Sequence, residues 1–448
     1  MDFIESCRKL ISLDASPEQG NYLVAQFLAE YASDNGFLVE KLEEVSGDKK
    51  QMNLIITPTN QKTEFDFMLQ THLDTPDPGP FGLWNKTGSN PFDAHIIDGN
   101  IYGLGAADTK LDFLCKLEAL NRIDKNSNWK VLPKIVATYG EETGMNGALK
   151  LIRKNKIKAK YALIGEPSDL HIITSGKGLA SVEIHIPFGE DEKKYRIEHN
   201  LKESTSTVSK IFNGKSAHSS TPQMGESAIK KLFEYLLKMP SDITIMEIDG
   251  GVNFNTVPAN SILEIDFVPG HRISMAKKLT TIYKAICDLE DKFLQFQDEE
   301  FQPSSPTLNI GLVRTKEDSI FISGTCRIPP SVSNEIYEGW MKELALVCQS
   351  VEAEFRITDY KRPFKGDKGS EFVQICQSQL KKMNLPEKII TIPSTNEASI
   401  FARTGIECIC FGAGKREGNI HTPSEHVSIE SLQKATDFYE KIIQKVCL

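Results

Sequence analysis

What most constrains this chain is a pattern of alternating helix and strand that breaks off and later resumes. Gly20–Gly36 carries Leu23, Val24, Phe27, Leu28 and Tyr31 at helical spacing and closes on Gly36. Asn53–Pro58 and Phe65–Leu69 are short apolar runs that predict strands. Leu111–Leu120 then reads as a helix, Val131–Tyr139 as a strand, Gly147–Ile152 as the start of a helix and Tyr161–Gly165 as a strand. Strands separated by helices call for a mainly parallel sheet with helices on both faces. From about Gly178 the pattern changes. Ser181–Ile186, Ile243–Ile248, Ser261–Val268, Thr307–Val313 and Ile320–Arg327 predict antiparallel strands, with helices at Glu226–Lys238 and Ile273–Phe293 between them. From about Phe364 the first pattern returns: helix Glu371–Met383, strand Lys388–Ile392, helix Glu397–Thr404, strand Ile406–Phe411 and helix Ile429–Val446.

The expected fold class is therefore α/β. A three-layer, mainly parallel catalytic domain is interrupted by an inserted α+β domain, with boundaries at 1–178, 179–358 and 359–448. The charge run Gly189-Glu-Asp-Glu-Lys-Lys194 is expected to be a solvated turn.

Composition removes several function classes. The chain has 448 residues, 40% hydrophobic and 25% charged, as a globular protein has. Its net charge of −9 argues against nucleic acid or an anionic membrane as the main partner. No apolar stretch approaches the roughly 18 residues of a membrane span, so none is expected, and Met-Asp-Phe-Ile-Glu-Ser lacks the basic start and apolar run expected of a signal peptide. The nine cysteines are scattered without a C-x-x-C pair, which suits reduced thiols in a cytoplasmic setting.

The chemistry-bearing residues sit where the predicted strands end. Gln70-Thr-His72-Leu-Asp74 follows an apolar strand, and ligands bind beyond the carboxyl ends of parallel strands. His72 can offer a ring nitrogen to a metal while Asp74 fixes its tautomer. Asp108, in Gly105-Ala-Ala-Asp108-Thr-Lys110, opens a helix, as an N-cap does, and is also placed to bridge two cations. Glu141 and Glu142 are adjacent after a third strand. Paired carboxylates there repel unless they are solvated or neutralised by a cation. One of such a pair can bind metal while the other acts as general base. Glu166 ends a further strand, and His421 lies in a glycine-rich loop after the last one. Gly214-Lys-Ser-Ala-His218-Ser-Ser-Thr-Pro222 falls in the inserted domain. Each feature alone has a plain reading as polar surface. Together they deliver histidines and carboxylates, without cysteine, to one edge of one sheet, a donor set that suits zinc or a similar divalent ion in a hydrolytic site.

These motifs, with Gly251 through Asn255-Thr-Val-Pro258 and His421-Thr-Pro-Ser-Glu425, resemble the co-catalytic zinc peptidase and amidohydrolase family. That family includes acetylornithine deacetylase, succinyl-diaminopimelate desuccinylase, aminoacylase, carboxypeptidase G and several dipeptidases. The resemblance runs through nearly the whole chain in order. It implies two metal ions, Zn2+ in the first place with Co2+ or Mn2+ compatible. His72 and Glu166 would hold one, Glu142 and His421 the other, and Asp108 would bridge them with a cis bond to Thr109. It further implies that Glu141 is the general base, Asp74 orients His72, His218 donates to the oxyanion, and Asn255 contacts substrate.

There are departures. Leu104 replaces an arginine common before the bridging acid, and Leu111 replaces a glycine. Val268 stands where an arginine usually follows the acid matching Asp266, whereas Arg327 lies in a later segment that looks like the arginine strand. Extra sequence at about 187–210 and 295–314, with Thr307–Gly311 and Arg327 resembling a second unit, predicts an enlarged inserted domain. It also predicts a self-contained monomer rather than a homodimer. The expected activity is hydrolysis of an amide in a small substrate, an N-acyl amino acid or a short peptide. Alternatives are a dipeptidase or tripeptidase, or a catalytically silent metal-binding member of the fold. Lys177 and Arg403 are expected to pair with other charges at the surface, and His426 is a weaker rival to His421.

Overall fold

The computed structural model describes residues 2–201, 204–240, 243–267 and 275–448; Val268 and His271 fall outside them. The chain divides into two compact units. One comprises Met1–Ser175, Phe364–Thr391 and Asn396–Leu448, the other Gly176–Pro363 and Ile392–Thr395.

The discontinuous unit is built on a mixed sheet whose centre is parallel. Asp66–His72 pairs in parallel with Leu132–Thr138 on one side, from Asp66 opposite Leu132 to His72 opposite Thr138, and with Ala159–Gly165 on the other. Glu407–Phe411 extends the parallel set beside Ala159–Gly165. An antiparallel hairpin, Leu38–Ser46 and Lys49–Thr57, closes one side, and Ile172–Gly176 followed by Phe364–Lys365 the other. Every residue of Asp66–His72 is buried, as a strand covered on both faces requires. The covering helices include Tyr22–Asp34, which turns Val24, Ala25, Leu28, Ala29 and Ala32 inward, and Ile429–Cys447, which buries Leu432, Phe438, Tyr439, Ile442 and Ile443. Helix Lys110–Asn121 is buried on all sides, including Asp112 and Lys116. A separate three-stranded sheet, His95–Ile97, Asn100–Tyr102 and His426–Ser428, leads into that helix.

The inserted unit is a seven-stranded antiparallel sheet, in the order Val208–Asn213, Asn260–Phe267, Ile243–Gly250, Thr307–Thr315, Ser319–Ile328, Gly178–Pro187, Glu354–Lys361. Asn260–Phe267 alternates buried and less buried positions, the mark of one covered face. Helices Ala228–Leu236, Met275–Leu294 and Asn334–Ser350 supply its core through residues such as Phe233, Tyr283 and Trp340. The segments read as a second unit, Thr307–Thr315 and Ser319–Ile328, are interior strands of this one continuous sheet. One local expectation is overturned: the charge run after Gly189 forms helix Glu190–Glu198 rather than a turn. Its three acids occupy the first turn, where the helix dipole favours them, and Glu192 is buried beside Arg196 at 3.4 Å. Among the described residues no helix is long and apolar enough to cross a membrane.

Candidate metal centre

Because the strands ending at Thr138, His72, Gly165 and Phe411 are neighbours and parallel, their carboxyl ends share one edge of the sheet. His72 is the last residue of its strand. Glu141 and Glu142 follow the second strand, Glu166 follows the third, and the loop after the fourth leads to His421. Asp108 arrives by a different route, from the small sheet, one residue before the N-cap Thr109. The Asp108–Thr109 peptide is cis.

Asp108 is the centre of the arrangement. Its Oδ1 lies 3.2 Å from His72 Nε2, and its Oδ2 lies 3.2 Å from His421 Nε2. His421 Nε2 is also 3.2 Å from Glu142 Oε1, and ligand atoms of Asp108, Glu142 and His421 all lie within 4.8 Å of one another. Glu166 is buried nearby, its Oε2 3.7 Å from Arg416 Nη1. Two close backbone approaches bring in the last loop. A Cβ on Gly412 would meet Glu166 O at 2.5 Å, and one on Gly414 would meet Ala107 O at 2.4 Å, so both positions require glycine.

The side chains of the site shift one another's proton affinities. The Glu142 carboxylate pushes His421 up to about 11, with Asp108 assisting against burial. Burial opposes charge on His72, but Asp108, Glu141 and Asp74 outweigh it and raise its pKa. Burial and the neighbouring Asp108 raise Glu166 to about 8. Burial also raises Glu141 well above the carboxylate range, with His72 opposing and Glu142 and Glu166 adding to it. Two imidazoles and several carboxylates converging around one bridging acid fit a divalent ion of the zinc type.

The supporting contacts differ in part from expectation. His72 Nδ1 lies 3.1 Å from the backbone oxygen of Asp74 and 3.7 Å from its carboxylate. The carboxylate itself accepts from the backbone N–H of Glu141 at 3.1 Å and of Glu142 at 3.0 Å. Asp74 therefore holds the paired glutamates at least as directly as the histidine. Glu425, quoted in a motif but given no task, is buried and accepts from Ala107 N at 2.9 Å and Asp108 N at 3.0 Å. Glu397 was missed altogether. Buried, it accepts from Thr138 Oγ1 at 2.6 Å and from Gln70, tying together the strands that lead to His72 and Glu141. His426 stands apart, stacked on Tyr102 at 4.8 Å.

In the inserted unit, His218, Asn255 and Arg327 form a second cluster. Ser220 N donates to His218 Nδ1 at 3.1 Å. Asn255 Oδ1 accepts from Arg327 Nη2 at 2.9 Å and Ser219 Oγ at 2.5 Å, and its Nδ2 lies 3.3 Å from His218 Nε2. Lys177 is not a surface ion-pairing residue. It is fully buried and donates to Pro303 O and Ser305 O, both at 2.6 Å, because the loop after Leu294 folds over it. Arg403 is exposed.

Residues 68–445 match the model of peptidase family M20/M25/M40. The chain belongs to this family. Among its relatives is the acetylornithine deacetylase of Vibrio parahaemolyticus, 26% identical over 467 residues, which cover 99% of this chain and 96% of that protein. Of solved structures, an aminoacylhistidine dipeptidase from Vibrio alginolyticus superposes with a TM-score of 0.65 at 15% identity, over 99% of this chain and 96% of the other. An M20 metallo-carboxypeptidase from Sulfolobus solfataricus gives 0.64 at 17% identity, over 99% of both chains. As an M20 protein with a site that can hold metal, the chain is a metallohydrolase of amide bonds.

Proposed function

We propose that this M20 enzyme hydrolyses the amide bond of an N-acyl amino acid, in the manner of an acetylornithine deacetylase, with two divalent ions at the strand-end site. The observation that carries the reading is the bracketing of Asp108 by two imidazoles on its two different oxygens. On this reading His72 and Glu166 hold one ion, Glu142 and His421 the other, and Asp108 both; Zn2+ suits the donors best, with Co2+ and Mn2+ compatible. When bound, the ions supply Lewis acidity to the scissile carbonyl and acidity to water. Glu141 takes the proton from the attacking water and returns it to the leaving amine, a role supported by its place beside Glu142, both backbone N–H groups held by Asp74. His218 donates to the oxyanion, while Asn255 and Arg327, hydrogen-bonded to each other and clustered with His218, bind the substrate.

A short-peptide substrate is the second reading, favoured by the enlargement of the inserted unit read from its extra sequence at about 187–210 and 295–314. The same enlargement favours a self-contained monomer; a stable dimer in sedimentation would refute that. Nine free cysteines favour a cytoplasmic setting. The deciding experiment is turnover by Zn2+-loaded protein on N-acyl amino acids, dipeptides and tripeptides. Preference for the acyl amino acids is expected. Turnover of peptides alone would move the assignment to the second reading, and no turnover at full metal occupancy would overturn both.

A further inference from the structure

Helix Lys110–Asn121 begins two residues after Asp108 and carries a buried ion pair. Asp112 is 4% exposed and Lys116 0%. Lys116 Nζ lies 2.7 Å from Asp112 Oδ2, and it donates to Gln70 O at 2.6 Å and Thr71 Oγ1 at 2.8 Å. Thr71 Oγ1 in turn donates to Asp112 Oδ2 at 2.9 Å. The Tyr439 hydroxyl donates to Asp112 Oδ1 and lies 3.0 Å from Phe411 O. The backbone of the third strand presses on the same pair. A Cβ on Gly165 would sit 2.3 Å from Asp112 Oδ2 and 2.8 Å from Lys116 Nζ.

A buried ion pair is poor value for stability, since desolvation of both charges can exceed their attraction, and apolar residues would fill the space at least as well. What this pair does supply is fixed distances among three chain segments. Thr71 immediately precedes His72, Gly165 immediately precedes Glu166, and Asp112 lies on the first turn of the helix that Asp108 introduces. Glu142 is held elsewhere, by Asp74, and the loop of His421 by Asn419, which donates to Lys415 O at 2.9 Å and His426 O at 2.8 Å.

We propose that Asp112, Lys116, Thr71 and Tyr439 form a positioning device for one half of the metal centre, the half made by His72 and Glu166. The inference rests on the two-metal reading above. Supporting groups behind metal ligands typically set metal affinity by about 10–100-fold. The network therefore tunes the affinity of one site relative to the other.

The test is titration of metal-free wild type, Asp112→Asn and Tyr439→Phe with Zn2+ by calorimetry and with Co2+ by visible absorption, alongside urea unfolding of each metal-free protein. Two binding steps are expected in the wild type. In Asp112→Asn one step should weaken about 10–100-fold while the other stays within twofold. Tyr439→Phe removes only a hydroxyl, so it remains informative if Asp112→Asn does not fold, and it should weaken the same step by less. Both steps weakening together in proportion to lost stability would overturn the inference, as would neither step changing in a folded variant. A wild type that binds fewer than two ions would overturn the two-metal reading and this inference with it, a result distinct from either of those.

Discussion

Removal of the Glu425 side chain should loosen the centre from behind without touching a proposed ligand. Glu425 is fully buried and is the acceptor for two backbone N–H groups, those of Ala107 and Asp108. Glu425→Ala leaves both donors buried without an acceptor, at about 1–3 kcal/mol each, or about 2–6 kcal/mol in all. Glu425→Gln keeps an oxygen in place but exchanges two charge-assisted bonds for neutral ones, a loss of about 2–3 kcal/mol. That comparison belongs at pH 8, because burial and Asp108 lift the Glu425 carboxyl to about 7 and the charged form must predominate. Urea unfolding of metal-free protein, followed by tryptophan fluorescence, suits the measurement because Trp84 and Trp129 are both buried in the same unit as Glu425. The order wild type, Gln, Ala is expected, and Zn2+ affinity should fall with it because Asp108 loses its backbone anchor. An Ala variant within about 0.5 kcal/mol of wild type would refute the reasoning.

The remaining predictions concern catalysis, metal linkage and pH. Glu141→Ala should keep its metal content, measured by atomic absorption, while kcat falls about 10²–10⁴-fold; unchanged turnover would remove Glu141 from the mechanism. His218→Ala should lower kcat by about 10²–10³ with little change in KM in steady-state assays, since the oxyanion donor acts in the transition state. Chelation should lower the melting temperature by leaving the carboxylates of the site uncompensated. Zn2+ at 100 times its Kd should restore about 2.7 kcal/mol per site, measured by thermal unfolding. Lys177 is lowered to about 8 by burial, with Arg327 adding to the shift and Asp298 opposing it. Between pH 8 and about 10.5 the unfolded chain holds a proton there that the folded chain lacks. Stability contributed by this group should therefore rise with pH across that window, and Lys177→Met should flatten the rise in chemical denaturation series.

The architecture was legible because strand runs such as Phe65–Leu69 and Tyr161–Gly165 are short, apolar and separated by helical periods, so adjacency at one sheet edge followed from the rules for parallel sheets. Placement of Asp108 was less so, since it reaches that edge from a small sheet whose strands are only three residues long. The supporting networks left almost no local trace. Glu397 and Gln70 are 327 positions apart, as are Tyr439 and Asp112. A charged residue at helical spacing reads as solvent-facing until its distant partners are known, and Asp112 and Lys116 sit on a helix buried on all sides. Lys177 failed as a surface residue for the same reason: its acceptors are carbonyls of Pro303 and Ser305, which carry no side-chain signature. Glu190–Glu198 was misread because its apolar content is low and its helicity comes from acids at the N-terminus and the Glu192–Arg196 pair.

The division of the strand-end unit into stretches on either side of the inserted unit has a consequence for biosynthesis. Gly176–Pro363 is continuous and closes its own antiparallel sheet, so it can fold while the ribosome is still extending the chain. His72, Asp108, Glu142 and Glu166 have all emerged by then, but the strand Glu407–Phe411 and the loop with His421 have not. The strand-end site is therefore completed only after the inserted unit has been made.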